Sequence, residues 1–423
     1  MGRKRAFKSI FIFILTVACI LPLMAGETQK SILDSIKTFY WSEETNHGDW
    51  FINQANHDSW EGSTVSGRDG MLAYSESVVM RGLLMLWELT GDALWQEEFL
   101  RHAEGVMSHS NSALQDSGLY DDQIRGDIIP GWIVRGRYSP KSSLIEHLPP
   151  LRYNYIIHNS LIILPYFEYA WYQKEILNQE LSLLFQYWIK YANDVLNQML
   201  EDWENGWFVY AYTNSEKYPK AYKNTKQPLE FSQVTPVGAV LLYKKTLYGL
   251  TAKEEDILQS IIAEAKKNFT IDDSGACIWE KNLNSIMPWD IQDVSHATSD
   301  LILLNTLIQF GYEDFDKYYL AINKTLNRML VFDTNGVLQC YPHVDGTAKN
   351  ELNPLDRRYP VNRYAYYFAH QWPSFTEEDT LAQKKIKALL KSRHFRYKNG
   401  ICDALDAFWF IGNVSMLFYD NKD

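Results

Sequence analysis

The sequence predicts an all-α protein in which outer and inner helices alternate as a double ring. Stretches of helical period run alternately amphipathic and apolar along the chain, six of each kind, and no strand-rich block separates them. The apolar stretches also begin with polar residues, as in 289–311, WDIQDVSHATSDLILLNTLIQFG. A helix places Asp293, His296 and Asp300 on one face, with Leu304 and Leu307 continuing that stripe. A helix apolar on all sides belongs in a protein interior or a membrane, and Asn305, Thr306 and Gln309 interrupt this one well short of a span.

The amphipathic stretches are Ser31 to Trp41, Leu94 to His109, Lys174 to Leu200, Lys253 to Phe269, Phe315 to Leu330 and Asp379 to Phe395. The apolar ones are Met71 to Leu89, Tyr153 to Trp171, Glu230 to Tyr248, Asp293 to Phe310, Tyr359 to Trp372 and Ile401 to Tyr419. Thr90-Gly91-Asp92 stops the first apolar stretch, Pro165 predicts a kink in the second, and TPVG interrupts the third. Short strand candidates such as Gly206 to Tyr212 lie between helices. The spacing is too irregular for a solenoid, and no Pro/Gly/Ser linker divides the chain, so residues 27–423 read as one domain.

The chain has 423 residues, 46% of them hydrophobic and 22% charged, enough to bury a sizeable core. A net charge of -11 argues against nucleic acid as a partner. The one basic cluster, Arg3 to Lys8, precedes the apolar run Ile10 to Ala25, in the order of a secretory signal peptide. Residues 1–26 are therefore expected to be removed, leaving a secreted or periplasmic protein with no membrane segment; an uncleaved anchor is the other reading of the run. Cys277, Cys340 and Cys402 are scattered and odd in number, which indicates neither a disulfide framework nor a zinc site.

The helix alternation and the inner run SESVVMRGLLMLWELTGD, followed by an amphipathic partner, resemble the (α/α)6 toroid of the six-hairpin glycosidase-like superfamily. The resemblance covers nearly all of the mature chain. It implies a carbohydrate-active enzyme, a hydrolase, lyase or epimerase, whose cleft lies on the rim where inner helices begin.

On that geometry the starts of the inner helices converge. They carry Arg68, Asp69, Tyr74 and Glu76; Asn154, Tyr155 and His158; Glu230 and Gln233; Asp290, Asp293 and His296; Asn362, Arg363, Tyr364 and Tyr366; Asp403 and Asp406. Asp293 is placed to orient His296 and tune its pKa, although a capping Asp beside a buried His is the plainer reading. His158 shares a helix side with Asn154 and Tyr155, or is simply packed among aromatic rings. Arg68, Asn154, Arg363 and Tyr364 are candidates to hold a substrate carboxylate, and Trp60, Trp132 and Trp289 to stack on sugar faces. An Asp293, His296, Asp300 metal site is geometrically possible, but HExxH and Cys/His spacings are absent, so no metal and no cofactor are expected.

Glycoside hydrolysis needs two carboxyl groups, which Asp293 with Glu76, Glu230 or Asp69 would supply. Uronate lyase or C5-epimerase chemistry needs a base, an acid and a group that stabilises an enolate. The Tyr, His, Arg and Asn of the rim favour the second, with Tyr155, His158, Asp293 and His296 as the reacting groups and a polysaccharide or oligosaccharide, anionic or neutral, as substrate. A non-catalytic glycan-binding protein would need the aromatic platforms without the His and carboxylate cluster.

Overall fold

The computed structural model describes residues 27–41, 72–113, 122, 127–136, 151–210, 227–281, 291–336, 338–341, 343–347, 359–360, 371–376, 380–391 and 410–415. The protein is mostly helical. Helix α1 spans Glu27–Tyr40, and a π-helical turn, Leu72–Glu76, leads into α2, Ser77–Thr90. Then follow α3 (Ala93–Ser108), α4 (Ile156–Trp171), α5 (Leu183–Leu200), α6 (Phe231–Tyr248), α7 (Ala252–Asn268), α8 (Val294–Gln309), α9 (Lys317–Met329) and α10 (Thr380–Lys391). Residues 410–415 are helical too.

Helices α4, α6 and α8 form the inner wall and run parallel, since like ends meet like. At their starts Gln233 donates to the Tyr155 hydroxyl at 2.7 Å and Thr235 donates to Asp300 at 3.1 Å. At their ends the rings of Trp171, Tyr243 and Phe310 cluster, with centroids 5.1 to 5.7 Å apart. Apolarity on every side is what this position demands. In α8, Leu301, Ile302, Leu303, Leu304 and Leu307 are at most 1% exposed, and each such burial is worth about 1.5–3 kcal/mol. Gly238 in α6 lets the wall close up, because a Cβ there would meet Ile261 of α7 and Leu303 of α8.

The last described helical residues return to the first inner helix. Phe410 packs on Gly82 of α2 and on the ring of Tyr40 in α1, 5.7 Å between centroids. Gly82→Ala would put a Cβ 2.6 Å from the Phe410 ring. We expect it to cost about 1–3 kcal/mol, read as a lowered melting temperature.

Connections at the two ends of the wall differ. Inner helices pass to outer ones through short turns: Gly91 in the left-handed region at φ 66, residues 177–182, Gly249 to Thr251, and residues 310–316. Outer helices return to inner ones through long segments, and all the short strands lie there: β1 (Ile133–Gly136) with β2 (Leu151–Asn154), β3 (Trp203–Glu204) with β4 (Trp207–Tyr210) and β5 (Gln227–Pro228), β6 (Thr270–Ile271) with β7 (Cys277–Ile278), and β8 (Leu330–Phe332) with β9 (Leu338–Cys340) and β10 (Tyr359–Pro360). All pairings are antiparallel. The strands among the described residues therefore lie in the connections that lead to the starts of inner helices, the kind of segment on which a rigid scaffold usually carries its function.

Several expectations change. The long amphipathic helix expected from Lys174 to Leu200 is divided: a π-turn, Tyr172–Ile176, gives way to Asn178 at φ 52, and Ser182 restarts the helix by accepting from the Phe185 amide. Helix α6 runs through TPVG unbroken. Pro236 deprives the Ser232 carbonyl of its usual N–H, and the Thr235 hydroxyl turns toward that carbonyl at 3.4 Å. Helix α4 continues through Pro165, as a kinked helix would. Tyr359–Pro360, expected to begin a helix, pairs with Cys340 and Gln339 as an edge strand, where a proline costs no ladder bond. No helix among the described residues is long and apolar enough to cross a membrane.

Candidate functional site

Outer helices α3, α5 and α7 are capped by side chains, whereas α9 begins at Asp316 without a side-chain cap. Asp92 caps α3, Ser182 caps α5, and Thr251 with Glu254 forms a capping box on α7. The inner helices α4 and α6 begin at Tyr155 and Glu230 with no side-chain cap. Their starts thus present backbone N–H groups and the positive end of the helix dipole to the loop-bearing rim.

Around these starts runs a chain of polar contacts. The Tyr155 hydroxyl accepts from Gln233 of α6, and one turn back on that helix Glu230 pairs with Lys281 at 3.3 Å. On α8, Asp293 accepts from the His296 amide through Oδ1 and contacts the His296 ring Nδ1 through Oδ2 at 2.6 Å. The His296 side chain is 37% exposed. Burial works against its imidazolium, but the Asp293 carboxylate, helped by Glu230, outweighs burial and the opposing Lys281, so its pKa lies above the ordinary histidine value. Asp293 also forms a backbone bridge with His343, whose ring Nδ1 stands 3.3 Å from the Ile291 carbonyl.

His158 has a different character. It is 5% exposed, with the rings of Tyr74 and Tyr155 edge-on at 5.0 and 4.9 Å. Burial pushes its pKa down to about 3, so the ring is neutral at physiological pH. Its Nδ1 has no hydrogen-bond partner among the described residues.

Asp300 shares a helix face with His296 but points into the core. It is fully buried, with Oδ2 accepting from Trp279 at 2.8 Å and Gln292 at 2.6 Å and Oδ1 accepting from Thr235. Burial raises its pKa to about 7 against those three donors. Gln292 in turn accepts from the Asp293 amide at 3.2 Å. Asp300 is thereby a buried anchor for the Asp293 and His296 pair, and the three residues do not converge on a metal. No cluster with metal-ligand composition occurs among the described residues.

Other expected site residues fall elsewhere. Trp132 is 1% exposed and donates from its indole to the Val106 carbonyl, so it braces the core and offers no ring face to a sugar. The Asn154 side chain accepts from Asn111 at 2.9 Å and donates to the Pro130 carbonyl at 2.7 Å. With Asn159 it holds the loop 129–132 in place; its amide is engaged in that bracing rather than directed to a ligand. Glu76 is 2% exposed and bound to His102 between inner and outer helices. Trp60, Arg68, Asp69, Trp289, Asp290, Asn362, Arg363, Tyr364, Tyr366, Asp403, Asp406 and the expected signal peptide lie outside the described residues.

The structure thus brings together Tyr155, His158, Asp293 and His296 on one rim, and adds Lys281, Gln292 and His343. Lys281 and His343 sit in loops with no periodic pattern and Gln292 just before α8; the backbone bridges Glu280 to Ile291 and Asp293 to His343, with the Gln292 bond to Asp300, tie these segments to α8.

No protein-family model matches the sequence, and no curated protein matches it. Among solved structures, one titled a polysaccharide lyase aligns over 89% of this chain and 97% of its own, at 10% identity and a TM-score of 0.41. That likeness is too slight to decide the fold.

Proposed function

We propose that the protein is an exported carbohydrate-active enzyme built as a closed (α/α)6 ring over residues 27–423, and that it acts on an acidic polysaccharide as a uronate lyase or C5-epimerase. The observation that carries this reading is the rim itself: a tyrosine at the uncapped start of α4, held by Gln233 of the uncapped α6, and a histidine at the start of α8 oriented by the Asp293 that caps it, with the charges of the Glu230 and Lys281 pair acting on that histidine. The return of Phe410 to α2 and α1 supports the ring.

In this mechanism the positive helix ends attract a uronate carboxylate. His296, held in one orientation by Asp293, takes the proton beside that carboxylate, and the Tyr155 hydroxyl, held by Gln233, delivers a proton to the leaving oxygen or to the opposite sugar face. His158 stays neutral and offers a hydrogen bond without adding charge. Arg68 and Arg363 complete the carboxylate clamp in this proposal, and Trp60 and Trp289 the sugar platforms.

Hydrolysis fits less well. An acid catalyst must keep its proton near neutral pH, and the carboxyl with a raised pKa among the described residues, Asp300, is fully buried.

A panel of acidic and neutral polysaccharides tests the proposal, each digest read for the ultraviolet absorbance of an unsaturated uronate and for new reducing ends. Unsaturated product is expected. New reducing ends without that absorbance would replace the lyase reading with hydrolysis. Tyr155→Phe should lower turnover by about a hundredfold with little change in KM. Export is tested separately: sequencing the mature chain should find its first residue between Ala25 and Glu27, and a membrane-retained chain that keeps Arg3 to Lys8 would overturn it.

A further inference from the structure

The opposite end of the inner wall carries a second polar feature. Where the expected long helix is divided at 177–182, a groove of about 530 Å³ opens between the end of α4, the first turns of α5 and the end of α6. Lys174, Lys190 and Lys244 line it together with Gln186, Asn193 and Tyr248, against one acid, Glu180. In a chain of net charge -11 this gathers three ammonium donors on one groove. Asp194 pairs with Lys190 at 2.9 Å and Glu254 with Lys244 at 2.6 Å, yet an ammonium has three donors, and one carboxylate does not exhaust them. The Lys174 ammonium stands over the Tyr248 ring, 5.2 Å from its centroid. Tyr248 is 47% exposed, and Leu181 and Ile189 supply the apolar part of the lining.

We infer that this groove is a secondary binding site for an anionic oligosaccharide, separate from the catalytic rim. Amide and ammonium donors match hydroxyl and carboxylate acceptors, while the exposed Tyr248 ring matches the apolar face of a sugar ring. Such a site holds a long chain on the enzyme while the far rim processes it, which raises the local concentration of substrate without new catalytic contacts. The choice of an acidic sugar over other anions rests on the proposed function.

Native electrophoresis of the full chain through gels cast with polygalacturonate, hyaluronate or neutral hydroxyethyl cellulose tests the inference. Retardation is expected in an acidic gel and not in the neutral one, and it should weaken as salt is raised. The double variant Lys174→Ala with Tyr248→Ala should weaken apparent affinity roughly tenfold, about 1.4 kcal/mol, while turnover on short oligosaccharides stays at the wild-type value. Lys190→Ala, at a side chain 73% exposed, gives the same direction of change if the double variant folds poorly. Unchanged retardation in both variants, or equal retardation in the neutral gel, overturns the groove. An enzyme that degrades an acidic polysaccharide but ignores these variants refutes the groove alone. A chain retarded through the groove that degrades nothing refutes the catalytic reading alone.

Discussion

Asp293→Asn and His296→Gln are each expected to lower turnover by about a hundredfold or more while the melting temperature stays within a few degrees. Both side chains are partly exposed, at 25% and 37%, and neither substitution opens a cavity in the core. The Asn retains an oxygen to accept from the His296 amide, so the start of α8 stays capped, but its neutral amide no longer orients or charges the imidazole. In wild-type enzyme the histidine gains a proton at a pH above its ordinary range, because Asp293 outweighs burial. In Asp293→Asn that support is gone, and the limb of the activity profile set by His296 should move to lower pH. The opposite pattern, a large loss of stability with turnover preserved in the folded fraction, would make the pair a structural cap and move the chemistry to Tyr155 and His158.

The second large effect belongs to Asp300. Asp300→Ala strands two groups that can only donate, the Trp279 indole and the Gln292 amide, inside the core. Each costs about 1–3 kcal/mol, so a total of roughly 2–6 kcal/mol is expected in denaturant unfolding. Asp300→Asn should cost far less. With its oxygen at the Oδ2 position it keeps both donors, and its NH2 then meets the Thr235 hydroxyl, which can turn to accept.

The two variants also separate in their pH dependence. The folded chain holds the Asp300 proton up to about pH 7, against an ordinary value of 3.8. Between those values the folded state binds the proton and the unfolded state does not, so wild-type stability falls as pH rises through the window, by at most about 1.4 kcal/mol per pH unit. His296, also raised, contributes in the same direction, and comparison with Asp300→Asn removes its share. The stability difference between Asp300→Asn and wild type should therefore move in favour of the variant from acidic pH to about 7 and then level off. A difference independent of pH would place a permanent negative charge on Asp300. Because Gln292 links Asp300 to the Asp293 amide, Asp300→Ala should also shift the titration of the His296 ring seen by NMR, a change that loss of packing elsewhere would not produce.

The alternation of helices was legible in the chain because burial imposes it residue by residue. An inner helix touches protein on every side, so α8 must be apolar throughout, while α7 must keep a wet face, and both patterns survive in one dimension. The same logic placed Asp293 and His296 at a polar helix start, three residues apart and within reach of each other before any long-range contact is known. Local turn chemistry was partly legible as well: Gly91 ends α2 where Thr90-Gly91-Asp92 indicated, whereas Pro165 and Pro236 did not break their helices, because packing on both sides outweighs one lost hydrogen bond.

What the sequence alone could not decide is which polar residue stays partly exposed at a helix start and which holds the wall. Asp300, Asn154, Trp132 and Glu76 are as chemically loaded in the sequence as His296, yet each is engaged with partners from distant segments: Trp279 for Asp300, Asn111 for Asn154, Val106 for Trp132, His102 for Glu76. Lys281 and His343 reached the site by the reverse route, from loops without periodicity. Periodicity reports which face of a helix is buried, and that follows from local geometry. Whether a buried polar atom finds a partner depends on residues far along the chain, and only the tertiary structure brings them together.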